Sequence, residues 1–380
     1  MVHPKELLAY ARSEIDALLH CLQQAVEIES PSQNKTAVDR MAEFFAREFK
    51  KSGAKVRVMS HPTAGSAVAA EFWGPARGKK PVLLLGHLDT VWDVGTLAGM
   101  PFRVKGGHAY GPGIYDMKSG IVCGLWAVRA LQALKVIPPG PVRFFLNADE
   151  EVASIAFRKE LLAQARQARA VLVLEPAAAQ GAIKTARKGV GEFRITVRGR
   201  SAHAGINPSA GVNAISELAR QILRIETLAR PKRGLTVNVD VIEGGTRVNV
   251  IPELASARVD VRVPTSRDRD LIEKQMRALR AIHPEAKVEI SGGVNRPPME
   301  RKMAKDLFGK ARELGRMMGL ELTEASTGGG SDGNFTAALG IPTLDGLGGT
   351  GDGAHARHEH VIIRELPHRV ALLAALIATI

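Results

Sequence analysis

Pro81-Val82-Leu83-Leu84-Leu85-Gly86-His87-Leu88-Asp89 is an unbroken apolar run that stops at a glycine and then delivers an imidazole and a carboxylate. A run of this length without polar alternation reads as a strand buried on both faces. The same pattern recurs twice. Val142-Arg143-Phe144-Phe145-Leu146 leads to Asp149-Glu150-Glu151, and Val171-Leu172-Val173-Leu174 leads to Glu175-Pro176. In open α/β sheets ligands bind beyond the carboxyl ends of the strands, so three strands ending in acids or imidazole form a site rather than a scatter of polar residues. Asp116 follows the turn Gly111-Pro112-Gly113 and precedes an apolar helical stretch, Met117 to Leu134, while His355 lies in a glycine-rich segment near the end of the chain. Imidazole and carboxylate together suit zinc and its neighbours, and a carboxylate such as Asp116 can bridge two ions. The residues therefore predict a two-metal hydrolytic site.

The bulk composition narrows the alternatives. With 380 residues, 45% of them hydrophobic, the chain is long enough for two cores. The opening segment, Met1 to Glu29, mixes Glu, Asp, Arg, Lys and His at helical spacing and reads as an amphipathic helix rather than a signal peptide, so a cytoplasmic location without membrane association is expected. Cys21 and Cys123 are too few and too far apart for a disulfide framework or a thiolate metal site, and Cys123 has no paired base nearby in sequence, so packing is their expected role. The net charge of +13 (52 Lys+Arg, 39 Asp+Glu) is dispersed, and aromatic residues make up only 4%, so stacking platforms for nucleic acid are scarce and no nucleic-acid partner is expected.

Between about Lys188 and Gly293 the pattern changes to strand Glu192–Arg198, helix Gly211–Ile225, strands Leu235–Ile242 and Ala255–Val263, helix Ser266–Ile282 and strand Lys287–Ser291. That β-α-β-β-α-β order is a ferredoxin-like unit. The fold expected is thus α/β with two domains. Residues 1–187 and 294–380 form a mixed-sheet catalytic di-metal domain, and residues 188–293 form an inserted domain serving dimerisation or as a lid. After the insertion the pattern gives a helix (Met299 to Met318), the glycine-rich Thr327 to Gly333, a strand (Ile341 to Leu344) and a terminal helix.

Several ordered segments resemble the co-catalytic zinc peptidases, which include aminoacylases, acetylornithine and succinyl-diaminopimelate deacylases and bacterial glutamate carboxypeptidases. They are Gly86-His87-Leu88-Asp89-Thr90, Asp116-Met117-Lys118-Ser119-Gly120, Asp149-Glu150-Glu151, Glu175-Pro176, Ser201-Ala202-His203-Ala204-Gly205, Asn249-Val250-Ile251-Pro252 and Gly328-Gly329-Gly330-Ser331-Asp332. The resemblance spans nearly the whole chain and is closest to the glutamate carboxypeptidases. It implies two Zn2+ ions, with Co2+ or Mn2+ as substitutes. His87 and Glu175 hold one ion, Glu151 and His355 the other, and Asp116 bridges them. In the run Ala354 to His360 the pattern His-x-x-x-Glu-x-Val selects His355 over His358 and His360. The resemblance further implies that Asp89 orients His87, that the Asp116–Met117 peptide is cis, and that amide hydrolysis proceeds by a metal-bridged hydroxide with Glu150 as general base. His203 then supplies an oxyanion donor across a homodimer, with Asn249 nearby.

The expected substrate is a small peptide or N-acyl amino acid that releases its C-terminal amino acid. Gly292-Gly293-Val294-Asn295-Arg296-Pro297-Pro298 resembles the region of glutamate carboxypeptidases whose arginine holds the substrate α-carboxylate, which makes Arg296 the candidate anchor, with backbone donors from the loop at Gly329; Arg262, in Asp260-Val261-Arg262, alternates as a strand residue and faces either the site, as a further substrate contact, or solvent. Lys184 is out of register for the basic residue that would take a glutamate side chain. An N-acyl amino acid deacylase or dipeptidase of the same family is the alternative. A catalytically silent binding homologue would have lost a ligand or the base, and none is lost. After Glu151 the family has Gly-Ser where this chain has Val152-Ala153-Ser154, a departure that removes no functional group.

Overall fold

The computed structural model describes residues 3–74 and 79–380; of the opening segment, Met1 and Val2 lie outside the described residues. The chain divides into two compact units, one made of residues 1–186, 301–327 and 331–380, the other of residues 187–300 with 328–330.

The first unit is built on a six-stranded mixed sheet in the order Lys55–Met59, Ala67–Phe72, Val142–Asn147, Val82–His87, Ala170–Val173, Thr343–Leu344. The last four of these strands run parallel, and the first two are antiparallel to their neighbours. Every residue of Val82–His87 is buried, as its continuous apolar run predicts. In register, His87 lies opposite Asn147 and Leu85 opposite Val173, so the three parallel strands end level with one another. The apolar stretch after Asp116 forms the helix Ser119–Ala133, buried over nearly its whole surface. It packs so closely that a Cβ at Gly120 would run into the carbonyl of Leu174, the residue before Glu175. The terminal helix Leu366–Thr379 packs against it, and the opening segment forms two helices, Pro4–Ser13 and Ile15–Val26.

The second unit is a four-stranded antiparallel sheet in the order Thr236–Gly244, Leu254–Val263, Gly189–Arg198, Lys287–Arg296, carrying the helices Ala214–Glu226 and Ser266–Arg277. Its core is Phe193, Ile195 and Val197 against Val259, Val261, Val263, Leu218 and Ile272. The order β-α-β-β-α-β with adjacent strands antiparallel is the ferredoxin-like arrangement. The last strand runs further than the sequence reading has it. The strand expected over Lys287–Ser291 continues through Gly292-Gly293 to Arg296, and this unit extends to Glu300. Gly292 sits at φ 86°, where a Cβ would collide with the carbonyl of Glu192 on the next strand, so close approach rather than a turn demands the glycine. Among the described residues no helix is long and apolar enough to cross a membrane.

Candidate metal centre

Because the parallel strands end level, their exits deliver His87, Glu150, Glu151 and Glu175 to one edge of the sheet of the first unit. His87 and Glu150 are buried, and so is Glu175. A ligand atom each from His87, Glu150 and Glu175 lies within 4.8 Å of the other two, and the same holds for His87, Asp116 and Glu151. Asp116 arrives from the side, in a segment that breaks into the helix Ser119–Ala133 through a cis Asp116–Met117 peptide, as the resemblance implies.

The Asp116 carboxylate divides between two imidazoles. Its Oδ1 lies 3.3 Å from His87 Nε2, and its Oδ2 lies 3.5 Å from His355 Nε2. Glu175 Oε1 is 3.6 Å from His87 Nε2, and Glu151 Oε1 is 3.3 Å from His355 Nε2. These separations are longer than good hydrogen bonds. They match the edge of a tetrahedron, because ligands about 2.0–2.2 Å from a zinc-like ion stand about 3.3–3.6 Å apart. The residues present therefore fit two divalent ions, which on the resemblance would be held by His87, Asp116 and Glu175 and by His355, Asp116 and Glu151. Each set would offer three protein ligands and leave a position for water or substrate, the pattern of catalytic rather than structural sites. Both cysteines are buried and unpaired with each other, and neither belongs to these ligand groups.

The local electrostatics fit cations as well. Burial opposes a charged His87, but the carboxylates of Asp116 and Asp89 hold its pKa well above the usual imidazole value. Asp116, then Glu151, raise the His355 pKa to about 10. Burial disfavours the Asp116 carboxylate, yet the two imidazoles facing it hold its pKa far below the ordinary range. The carboxylates thus favour positive charge at this cluster.

The supporting contacts refine what sequence reasoning expects. Asp89 orients His87 through its backbone, since His87 Nδ1 donates to the Asp89 carbonyl at 2.9 Å while the carboxylate stands 3.4 Å away. That carboxylate instead accepts the backbone N–H of Glu150 and of Glu151, both at 3.1 Å, and the Ser32 hydroxyl at 2.7 Å. One side chain therefore aims the first imidazole and fixes the acidic pair. Asp332, unassigned by sequence reasoning, accepts from Asn147 Nδ2 at 2.7 Å and from the Ser154 hydroxyl, tying the strand end to the turn beyond Glu151. Glu359 was also missed. It is fully buried, and its carboxylate accepts four N–H donors around the Asp116 segment. The only sequence signal for it is its place in the His-x-x-x-Glu-x-Val pattern.

The second unit holds the remaining predicted residues. His203 pairs with Val250 across a two-stranded ribbon, and Ala204 N donates to the Asn249 carbonyl at 3.0 Å, so His203 and Asn249 are neighbours. Gly205 N and Ile206 N both donate to His203 Nδ1 at 3.1 Å, which places the ring proton on Nε2. Arg296 is buried against the glycine loop, where a Cβ at Gly330 would come within 3.2 Å of its Cδ. The carbonyl of Gly329 accepts from Arg187 Nη1 at 3.3 Å. Arg262 is engaged by Asp260, with Nη2 to Oδ2 at 2.8 Å.

Comparisons with known proteins bear on this site. The model of peptidase family M20/M25/M40 matches residues 83–379. Carboxypeptidase G2 of Pseudomonas sp. is 32% identical, covering 98% of this chain and 91% of the relative. Acetylornithine deacetylase of Myxococcus xanthus is 33% identical over 47% of this chain and 48% of its own. Among solved structures, the aminopeptidase PepT of Bacillus cereus superposes with a TM-score of 0.80 at 21% identity, covering 96% of this chain and 98% of that one. The protein is a hydrolase of the metallopeptidase class. It belongs to peptidase family M20/M25/M40.

The turn after Glu151 carries backbone strain. Ala153 has φ 81° and Ser154 φ 53°, a left-handed region where glycine is at home and an L side chain costs about 1–2 kcal/mol. The turn is held by Ala153 N to Glu150 O at 3.0 Å and Ser154 N to Asp149 O at 2.8 Å. Ala153→Gly should therefore raise stability toward urea by about 1 kcal/mol without loss of turnover. An unchanged or lower unfolding midpoint would show that the turn relaxes around alanine.

Proposed function

We propose that this chain hydrolyses the amide bond that joins an acyl or peptidyl group to a C-terminal amino acid, as a glutamate-carboxypeptidase-like enzyme working with two Zn2+ ions. The observation that carries the reading is the Asp116 carboxylate turned with one oxygen toward each imidazole. Bound divalent ions supply Lewis acidity, polarising the amide carbonyl and acidifying a water molecule. The chain's own residues supply the rest. Glu150 lies next to the ligand atoms of His87 and Glu175. As general base it takes the proton of the attacking water and returns it to the leaving amine nitrogen. His203, with its proton on Nε2, is a neutral donor suited to the tetrahedral oxyanion, with Asn249 beside it. The guanidinium of Arg296, with backbone donors of the Gly329 loop, takes the free α-carboxylate of the substrate. The likeness to carboxypeptidase G2 over 98% of the chain supports this substrate class. The acetylornithine deacetylase likeness keeps an N-acyl amino acid deacylase as the second reading.

We also propose a homodimer through the second unit. The strand Thr236–Gly244 stands at the edge of its sheet, with Ile242 60% exposed, and an antiparallel copy of the same edge is its natural complement. Sedimentation should give a dimer for the wild type and a monomer for Ile242→Lys. A wild-type monomer at micromolar concentration would end this part of the proposal.

The activity is tested by amino acid release from Zn2+- or Co2+-loaded protein on a panel of dipeptides and N-acyl amino acids that includes N-benzoyl-glutamate and a folate-type glutamate conjugate. Glutamate release is expected, with Glu150→Ala retaining both ions and losing about 10²–10⁴-fold in kcat. Release from neutral acyl amino acids alone would favour the deacylase reading. No release from any substrate would overturn hydrolysis, and full activity in Glu150→Ala would remove that residue as the base.

A further inference from the structure

Glu359 sits four residues beyond His355, on the strand His360–Ile362 side of the same turn, and is fully buried in the first unit. Its carboxylate is saturated. Oε1 accepts Tyr115 N at 2.9 Å and Asp116 N at 3.0 Å, while Oε2 accepts Gly113 N at 2.9 Å and the Trp92 indole at 2.8 Å. Each carboxylate oxygen has two lone-pair directions, so all four are filled by N–H donors, three of them from the backbone that presents Asp116. Few side chains could replace it, since an amide would turn two hydrogens of its own toward two of these donors.

The placement has a directional consequence. His87 and Glu175 are carried by adjacent parallel strands whose ladder fixes their spacing. His355 has no such ladder. It stands at φ 61° in a loop, joined to Glu359 through Ala356 N to Gly353 O at 2.8 Å and Glu359 N to Ala356 O at 2.9 Å. Glu359 is therefore the clamp that ties the His355 turn to the Asp116 segment and keeps Asp116 Oδ2 in reach of His355 Nε2.

We propose that Glu359 is a positioning residue for the metal centre, setting the half that would be held by His355, Asp116 and Glu151 more strongly than the half that would be held by His87, Asp116 and Glu175, because it anchors the His355 turn as well as the Asp116 segment. The proposal rests on the two-ion reading given above. Partners that orient metal ligands typically change affinity by about 10–100-fold when removed. Zn2+ titration against a chromophoric chelator should give two equivalents for the wild type. For Glu359→Gln, one equivalent should weaken by about 10–100-fold and the other by at least several-fold less, with a changed Co2+ visible spectrum for the more weakened site. Trp92→Phe removes one donor but not the clamp, and should bind both ions as the wild type does. If Glu359→Gln does not fold, as judged by near-UV dichroism of the metal-free protein, Glu359→Asp keeps the charge, shortens the reach and is titrated with the same expectation. Two unchanged affinities in a folded variant, or an equal loss at both, would overturn the role assigned to Glu359. A wild-type protein that takes up fewer than two equivalents would overturn the two-ion reading and the inference with it.

Discussion

The structure turns on one carboxylate shared between two imidazoles. Asp116 offers Oδ1 to His87 and Oδ2 to His355, and every other feature of the site serves to hold that arrangement. Asp89, Asp116, Glu150, Glu151 and Glu175 converge within one small region together with His87 and His355. Acids gathered in this way repel one another and are expensive to bury unless positive charge is supplied. The raised basicity of both imidazoles is the same demand seen from the other partner. Protons and divalent ions compete for these positions, so metal binding at such a centre weakens as pH falls.

The fold meets this demand by separating rigid from adjustable parts. Parallel strands bring His87 and Glu175 out at fixed spacing, and the helix Ser119–Ala133 is pressed against Leu174 so tightly that only glycine fits at position 120. The second ligand set comes from turns, and turns need side-chain anchors. Asp89, Asp332 and Glu359 are those anchors, each a buried acid that spends its lone pairs on backbone or side-chain donors rather than on substrate. Lys118 lies in the same layer, giving its ammonium protons to the carbonyls of Ile28 and Pro112, with burial drawing its pKa down to about 8. The rigidity of the centre thus comes from a shell of paired polar groups under the ligands.

Much of this was legible from residue order alone. Continuous apolar runs ending in His87, in Asp149-Glu150-Glu151 and in Glu175 announce buried parallel strands whose ends meet, and the structure has those strands. The alternating pattern of residues 188–293 announces the ferredoxin-like sheet. What was not legible depends on contacts distant in sequence. Glu359 meets Asp116 across 243 positions, and no local period marks it. The use of the Asp89 carbonyl rather than its carboxylate on His87 is a matter of chain direction that composition does not carry. The strand expected over Lys287–Ser291 runs on through Gly292-Gly293, where glycine admits a neighbouring backbone that the sequence alone does not show. The left-handed Ala153 stands where the resembling proteins have glycine, so the position was visible but its strain was not.

Metal content measured directly on purified protein tests the central claim most closely. After saturation with Zn2+ and exhaustive dialysis, elemental analysis of the wild type should give two ions per chain, and Asp116→Ala, which removes the group common to both halves, should give fewer than one. Two ions retained in Asp116→Ala, or a single ion in the wild type, would contradict the shared-carboxylate account.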